Sequence, residues 1–356
     1  MLGPNSTEAR TWVGTARMRI LNVAYPLLPV TAGSAGGAEQ ILYLLDHGLA
    51  TRGIESVVIA ANGSKVSGTL WPTPAASNDV TDRERSEAQE IHRRTIARVL
   101  ESERIDLIHF HGLDFSTYLP ETHIPKLATL HLPIAWYEPS SLNNPDVCLV
   151  SVSESQARSG AIDGLSRVVR NGIDVSKHIP GKAARNSLLW LGRVCPEKGT
   201  DMALKVAHEL DVPLTVAGPV HPFAFHQEYF RTKVQPLLDS KRIYVGPVDL
   251  DEKTRLLGSA RALLVPSLAP ETSSLVAMEA ASSGTPVIAF RSGALPEVVQ
   301  DGQTGFIADD LEGMIEAVRR LDEISSLECR RYALQNFSSE RMVDGYVRLY
   351  NDLLGA

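Results

Sequence analysis

The chain has 356 residues, enough for two buried cores at roughly 100 to 200 residues per domain. Hydrophobic residues make up 44% and charged residues 22%, an ordinary globular balance that excludes disordered and fibrous classes. Lys and Arg number 35 against 42 Asp and Glu, a net charge of −7; this is the wrong sign for a general nucleic-acid binder, so any phosphate site has to be local.

Residues 1–17 carry Gly, Pro, Ser and Thr without the apolar centre of a secretory signal or a spanning helix, and read as a flexible tail. No apolar run approaches the roughly 18 to 20 residues that cross a bilayer; contact with a membrane surface stays open. Cys148, Cys195 and Cys329 lie too far apart for a zinc knuckle or a Cys-x-x-Cys pair, and fit a reducing cytoplasm.

From Met18 onward, short apolar runs alternate with amphipathic stretches, the pattern of βαβ units around a parallel sheet. Strands are predicted at 19–25, 55–61, 105–111, 126–131, 147–151 and 167–171. Glu39 to Arg52 has helical apolar spacing through Ile41, Leu42, Leu45 and Leu49. Residues 62–76 read as a mobile loop rich in Gly, Ser, Pro and Thr, and a charged helix follows over 81–102. The rhythm then restarts, with strands at 187–192, 214–217, 242–246, 262–266, 286–290 and 305–307 and helices at 200–210, 252–259 and 275–283. Turn-rich residues 171–181 separate the halves, giving domains at 18–172 and 173–338 with a terminal amphipathic helix at 339–356.

Ligands of doubly wound domains bind at the carboxyl ends of the strands. After the first strand, Gly33-Ser34-Ala35-Gly36-Gly37-Ala38-Glu39 runs into a helix and offers backbone N–H groups to an anion. No acid ends the second strand, which argues against a dinucleotide. Arg193 and Lys198 share one short strand-to-helix loop, a fork of donors and a point charge suited to a diphosphate; otherwise Lys198 would simply pair with Glu197. Glu271 and Glu279 stand eight residues apart, just over two helical turns, so both can face one ligand, with the N–H groups of Ser274, Leu275 and Val276 free at the helix start. His109 and His111 share a strand face and could combine with His131 around a metal, but a cleft wall with one working histidine is the preferred reading. Asp249-Leu250-Asp251 is read as a helix cap.

The order of these pieces, with Gly284-Thr285-Pro286-Val287, Gly293-Ala294-Leu295-Pro296-Glu297 and Asp301-Gly302-Gln303-Thr304-Gly305-Phe306, resembles the retaining nucleotide-sugar glycosyltransferases of family GT4. The resemblance covers Met18 to Ala356. It implies a GT-B fold, two Rossmann-like domains facing across a cleft, with the terminal helix crossing back onto the first. It also implies roles: Gly36 and Gly37 near the donor phosphates, Arg193 and Lys198 as the diphosphate clamp, Glu271 on the sugar hydroxyls, Glu279 on the ribose and His131 beside the transferred sugar. Members carry Phe-Gly where this chain has Ser273-Ser274, which predicts a tighter loop over the sugar. The expected reaction is hexosyl transfer from a nucleoside diphosphate sugar, a UDP-sugar slightly preferred over GDP-mannose, with retention and without a metal or cofactor. The acceptor is an unidentified hydroxyl on a sugar, a small aglycone or a lipid-linked sugar; the alternatives are a nucleotide-sugar epimerase and a non-catalytic sugar-nucleotide binder.

Overall fold

A computed structural model describes residues 17–34, 36–75, 81–160, 167–181 and 185–355. Apart from Arg17, the predicted tail lies outside these residues. Six strands form the first sheet: β1 (Arg19–Val23), β2 (Glu55–Ala61), β3 (Thr69–Thr73), β4 (Leu107–Phe110), β5 (Lys126–Leu130) and β6 (Val147–Ser151). Six more form the second: β7 (Leu188–Leu191), β8 (Leu214–Ala217), β9 (Arg242–Gly246), β10 (Ala262–Val265), β11 (Val287–Phe290) and β12 (Gly305–Ala308). The spatial orders are β3-β2-β1-β4-β5-β6 and β12-β11-β10-β7-β8-β9, parallel throughout. Counted within its own half, each sheet has the same order, 3-2-1-4-5-6 or its reverse, the doubly wound arrangement. The direction of winding therefore switches between β1 and β4 and again between β7 and β10, and each switch opens a crevice at the carboxyl edge. This is the GT-B architecture expected from the resemblance.

Two details differ from expectation. β3 falls inside the segment read as a mobile loop. It is an edge strand with Thr69 and Pro72 exposed, so it has neither a buried apolar run nor a full set of ladder donors, the signals by which strands are read. Residues 167–171 do not form a sixth full strand in the first sheet. Val168 makes one isolated bridge to Ser151, after which Gly172 and Ile173 carry the chain across to the second half.

The first sheet is covered on one face by the helix Ser339–Leu354, whose Met342, Val343, Tyr346, Leu349 and Tyr350 are buried with Ile20, Leu107 and Leu127. Side chains of this size contribute about 1.5–3 kcal/mol each when buried, so the last helix of the chain completes the core of the first sheet. It lies close against the helix Gly37–Thr51: a Cβ at Gly48 would come within 2.4 Å of Val343 Cγ2. No helix among the described residues is long and apolar enough to cross a membrane.

Candidate active site

The second switch point supplies one wall of the cleft. After β7 the chain passes Arg193, then makes a short turn over Pro196–Lys198 that starts the helix Thr200–Glu209. Lys198 turns inward, its Nζ 2.6 Å from Glu271 Oε1, and so pairs across the site rather than with its neighbour Glu197. Ser267 Oγ, just after β10, donates to the same carboxylate oxygen at 2.5 Å. Arg193 is exposed, and its guanidinium has no ion pair among the described residues, so it is available to an outside anion.

Glu271 is held from behind. Its carbonyl accepts from the Ala294 N–H at 2.8 Å, and the backbone at Gly293 packs so closely that a Cβ there would lie 2.2 Å from that carbonyl oxygen. Three residues on, Ser274 adopts a left-handed backbone, φ 57° and ψ 71°, and starts the helix Leu275–Ser282. Its own carbonyl accepts from the N–H groups of Ala277 and Met278. The N–H groups of Ser274, Leu275 and Val276 have no backbone acceptor among the described residues, so the start of this helix presents donors and the positive end of its dipole. The hydroxyls of Ser273 and Ser274 are buried without a partner.

Glu279 lies on the second turn of that helix. It is 4% exposed, with Lys253 Nζ 2.7 Å from Oε1 and His178 Nε2 3.6 Å away. Burial lowers the affinity of His178 for a proton, and the neighbouring Glu279 carboxylate only partly offsets that. These groups line a cavity between the halves together with Gln40, Asp174 and Leu275. Glu279 lines this cavity and Glu271 does not, so the two acids flank the cleft at separate points.

The first switch point supplies the opposite wall. The helix Gly37–Thr51 begins at Gly36 without a side-chain cap, and Glu39 folds back over the turn: a Cβ at Gly36 would meet Glu39 Oε2. Burial raises the pKa of the Glu39 carboxyl. Gly37 faces the other wall, where a Cβ would sit 3.6 Å from Leu275 Cδ1. Beyond β5, His131 Nε2 lies 3.1 Å from His111 Nδ1. Burial pushes the pKa of His131 down to about 3, so at neutral pH its ring is uncharged and acts as a hydrogen-bonding group. Thr272 Oγ1, beside Glu271, donates to the His131 carbonyl across the cleft at 2.9 Å.

The three histidines do not form a metal cage. His109 Nδ1 is 2.8 Å from Tyr350 Oη and its Nε2 is 2.7 Å from Thr129 Oγ1, so both ring nitrogens are already engaged. Asp249 caps its helix by accepting from the Glu252 N–H at 2.9 Å, as its position suggested.

Three comparisons bear on this geometry. Residues 35–177 match the family described as Glycosyltransferase Family 4, and residues 185–323 match Glycosyl transferases group 1. The chain belongs to glycosyltransferase family 4. It is similar to the D-inositol 3-phosphate glycosyltransferase of Corynebacterium efficiens, 30% identical over 198 aligned positions, covering 48% of this chain and 46% of that one. The chain spans about half the length of the inositol-phosphate relatives it matches. It is also 28% identical over 391 aligned positions to the glycogen synthase of Mycobacterium tuberculosis, covering 91% of each. Among solved structures, the sucrose-phosphate synthase of Thermosynechococcus elongatus superposes with a TM-score of 0.80 at 19% identity, covering 95% of this chain and all of the other (100%).

In this family 4 chain, Ser274 itself takes the left-handed conformation at the position where the resemblance places glycine, and with Ser273 it adds two buried hydroxyls to the acid loop. Sequence reasoning missed Lys253 and His178, the partners of Glu279. Lys253 lies one turn into the helix Leu250–Ser259, which was read only for its cap, and His178 sits in a turn-rich crossing with no periodicity to draw attention to it. It also did not foresee the contacts that Thr272 and Glu297 make across the cleft.

Proposed function

We propose that this family 4 chain transfers a hexosyl group from a nucleoside diphosphate sugar to an acceptor hydroxyl with retention of anomeric configuration. The observation that carries the reading is the Lys198–Glu271 contact of 2.6 Å at the switch point, with Arg193 exposed on the same loop. Glu271 binds hydroxyls of the transferred sugar and thereby places its anomeric carbon next to the cationic loop. Arg193, Lys198 and the amides of Ser274, Leu275 and Val276 stabilise negative charge as it grows on the departing diphosphate, which is the kind of fixed electrostatics that lowers such barriers most. Glu279, with Lys253 beside it, takes the ribose hydroxyls, and Gly36 and Gly37 let the phosphates approach the first wall. His131, neutral at physiological pH, hydrogen-bonds the sugar rather than charging against it. The leaving diphosphate oxygen accepts the acceptor proton on the same face, so the bond to the acceptor forms where the old one breaks. These side-chain and backbone positive ends support a reaction that needs no divalent metal. A UDP-sugar is slightly preferred as donor over GDP-mannose, and the three free thiols are consistent with a cytoplasmic setting.

The test is nucleotide release from a panel of UDP- and GDP-sugars, with and without chelator, with free UDP and GDP binding followed by thermal shift. D-inositol 3-phosphate and simple sugars serve as acceptors. Turnover of one donor, with the product anomer assigned by NMR, supports the reading. Neither binding nor release from any donor overturns it. Loss of turnover in Glu271→Ala separates a transferase from a protein that only binds.

A further inference from the structure

Beside the cationic loop lies a cluster that the transfer does not use. Cys195, Glu197 and His226 hold a thiol sulfur, a carboxylate oxygen and a ring nitrogen all within 4.8 Å of one another. Cys195 is 2% exposed and His226 4% exposed, while Glu197 opens to solvent. His226 Nδ1 is buried with no hydrogen-bond partner, and leaving such an atom unanswered is unfavourable. A buried ring nitrogen without a partner, on a histidine that stands beside a thiol and a carboxylate, calls for an explanation that a bound ion supplies.

The surroundings hold these three groups in place. Cys195 precedes the turn Pro196–Lys198, and Pro196 fixes its own φ. The Glu197 carbonyl accepts from the Leu268 and Ala269 N–H groups at 2.8 and 3.3 Å, tying the loop to the end of β10. His226 lies in the helix Ala224–Tyr229 and packs edge-on against the stacked rings of Phe223 and Phe225, at centroid distances of 5.4 and 4.2 Å. That helix is anchored by Tyr229 Oη, which donates to Asp201 Oδ1 at 2.7 Å. His221 is near, its ring centroid 6.1 Å from that of His226.

We propose that Cys195, Glu197 and His226 bind a divalent ion of the zinc class, with His221 or water in the fourth position. One sulfur, one nitrogen and one carboxylate oxygen suit tetrahedral zinc, with bonds of about 2.0–2.3 Å, and the sulfur disfavours magnesium and calcium. On binding, the Cys195 thiol releases its proton to solvent and the thiolate, imidazole and carboxylate bond to the metal. Thiolate and carboxylate together offset the two positive charges of the ion. Arg193, whose field acts on Cys195, Glu197, His221 and His226, keeps its charge for other use. The bound ion pins the Arg193–Lys198 loop to the 221–226 segment, so it sets the position of the clamp without entering the transfer. The inference does not depend on the transferase reading, since metal is read directly.

The experiment uses the full chain, stripped with chelator and titrated with Co2+, then with Zn2+. Saturation at one equivalent with a thiolate-to-cobalt charge-transfer band, displaced by Zn2+, is expected. Cys195→Ser should abolish the band, and His226→Gln or Glu197→Gln should weaken binding roughly ten-fold or more, while His47→Gln, an exposed histidine elsewhere, leaves it unchanged. Zinc-edge X-ray absorption on the unsubstituted protein needs no variant to fold, and should show one sulfur with nitrogen and oxygen neighbours. A titration without the sulfur band, binding indifferent to all three substitutions, or a zinc shell without sulfur overturns the proposal.

Discussion

Thr272 Oγ1 donates to the main-chain carbonyl of His131 at 2.9 Å, so the loop that carries Glu271 is fastened to the loop that carries the buried histidine. The two walls meet at a second point. Glu297, in the second half, accepts from the Glu154 and Ser155 N–H groups at 3.1 and 2.5 Å, at the start of the helix Glu154–Ser159 in the first. Both contacts join residues from different sheets, so opening of the cleft has to break them.

Glu297→Ala removes the acceptor of two amides that have no other role in their short helix. A hydrogen bond to a charged group is worth about 1.5–3 kcal/mol, so local opening at residues 154 and 155 becomes roughly ten- to a hundred-fold more frequent. Hydrogen exchange at those two amides should accelerate by that factor, while amides of β5 and β10 keep their protection. Unchanged exchange at 154 and 155 would show that the bridge does not hold the walls.

Lys198→Ala tests the cationic loop. The ammonium answers charge that develops on the leaving diphosphate, so its loss should lower kcat by roughly 10²- to 10³-fold, with a smaller change in KM for the donor. Lys198 and Glu271 are 32% and 11% exposed at their side chains, so the stability effect of breaking the pair is screened and should be minor beside the kinetic one. A variant that raises KM with kcat intact would reassign Lys198 to ground-state binding.

The topology was legible because the central strands are unbroken apolar runs followed by glycine-rich or charged turns, and a switch point follows from strand order alone. Arg193, Lys198, Glu271 and Glu279 were legible because each lies just after a strand or on the helix behind one. The partners of Glu279 were not, since Lys253 and His178 approach from two other segments and only the packed fold brings them within reach. β3 was hidden by Pro72 and its exposed edge. The ring-to-ring contact of His111 with His131 lay in the register of β4 against β5, which pattern reading does not supply.

Buried histidines give the protein an acid limit. Burial holds His131 at about 3 and His92 at about 4, against an ordinary value of 6.5, and His109 and His111 are lowered as well. Each folded pKa lies below its unfolded value, so the unfolded chain binds protons first as the pH falls. The stability from these neutral rings is full above pH 6.5 and is lost progressively toward pH 3, at about 1.4 kcal/mol per pH unit per ring. Urea midpoints should fall steeply below pH 6.5, and His131→Gln should reduce that slope by about one proton. Equal slopes for the two proteins would mean that His131 is already accessible to solvent protons.

Ser274 is a non-glycine residue in the left-handed region, φ 57°, and only 8% exposed. The conformation costs an L-residue about 1–2 kcal/mol, and it sits where the chain turns into the helix Leu275–Ser282, whose first turn bonds to the Ser274 carbonyl. Ser274→Gly removes that strain but gives the unfolded chain back about 0.4–1 kcal/mol of freedom. The net effect should be a melting temperature equal to or slightly above that of the parent, with donor turnover retained. Ser274→Val, whose branched Cβ tolerates this region least, should lower both stability and turnover. Thermal melts and nucleotide-release kinetics on the two variants separate the outcomes. A Ser274→Gly protein that melts well below the parent would mean that the serine side chain, rather than the backbone angle, holds this turn.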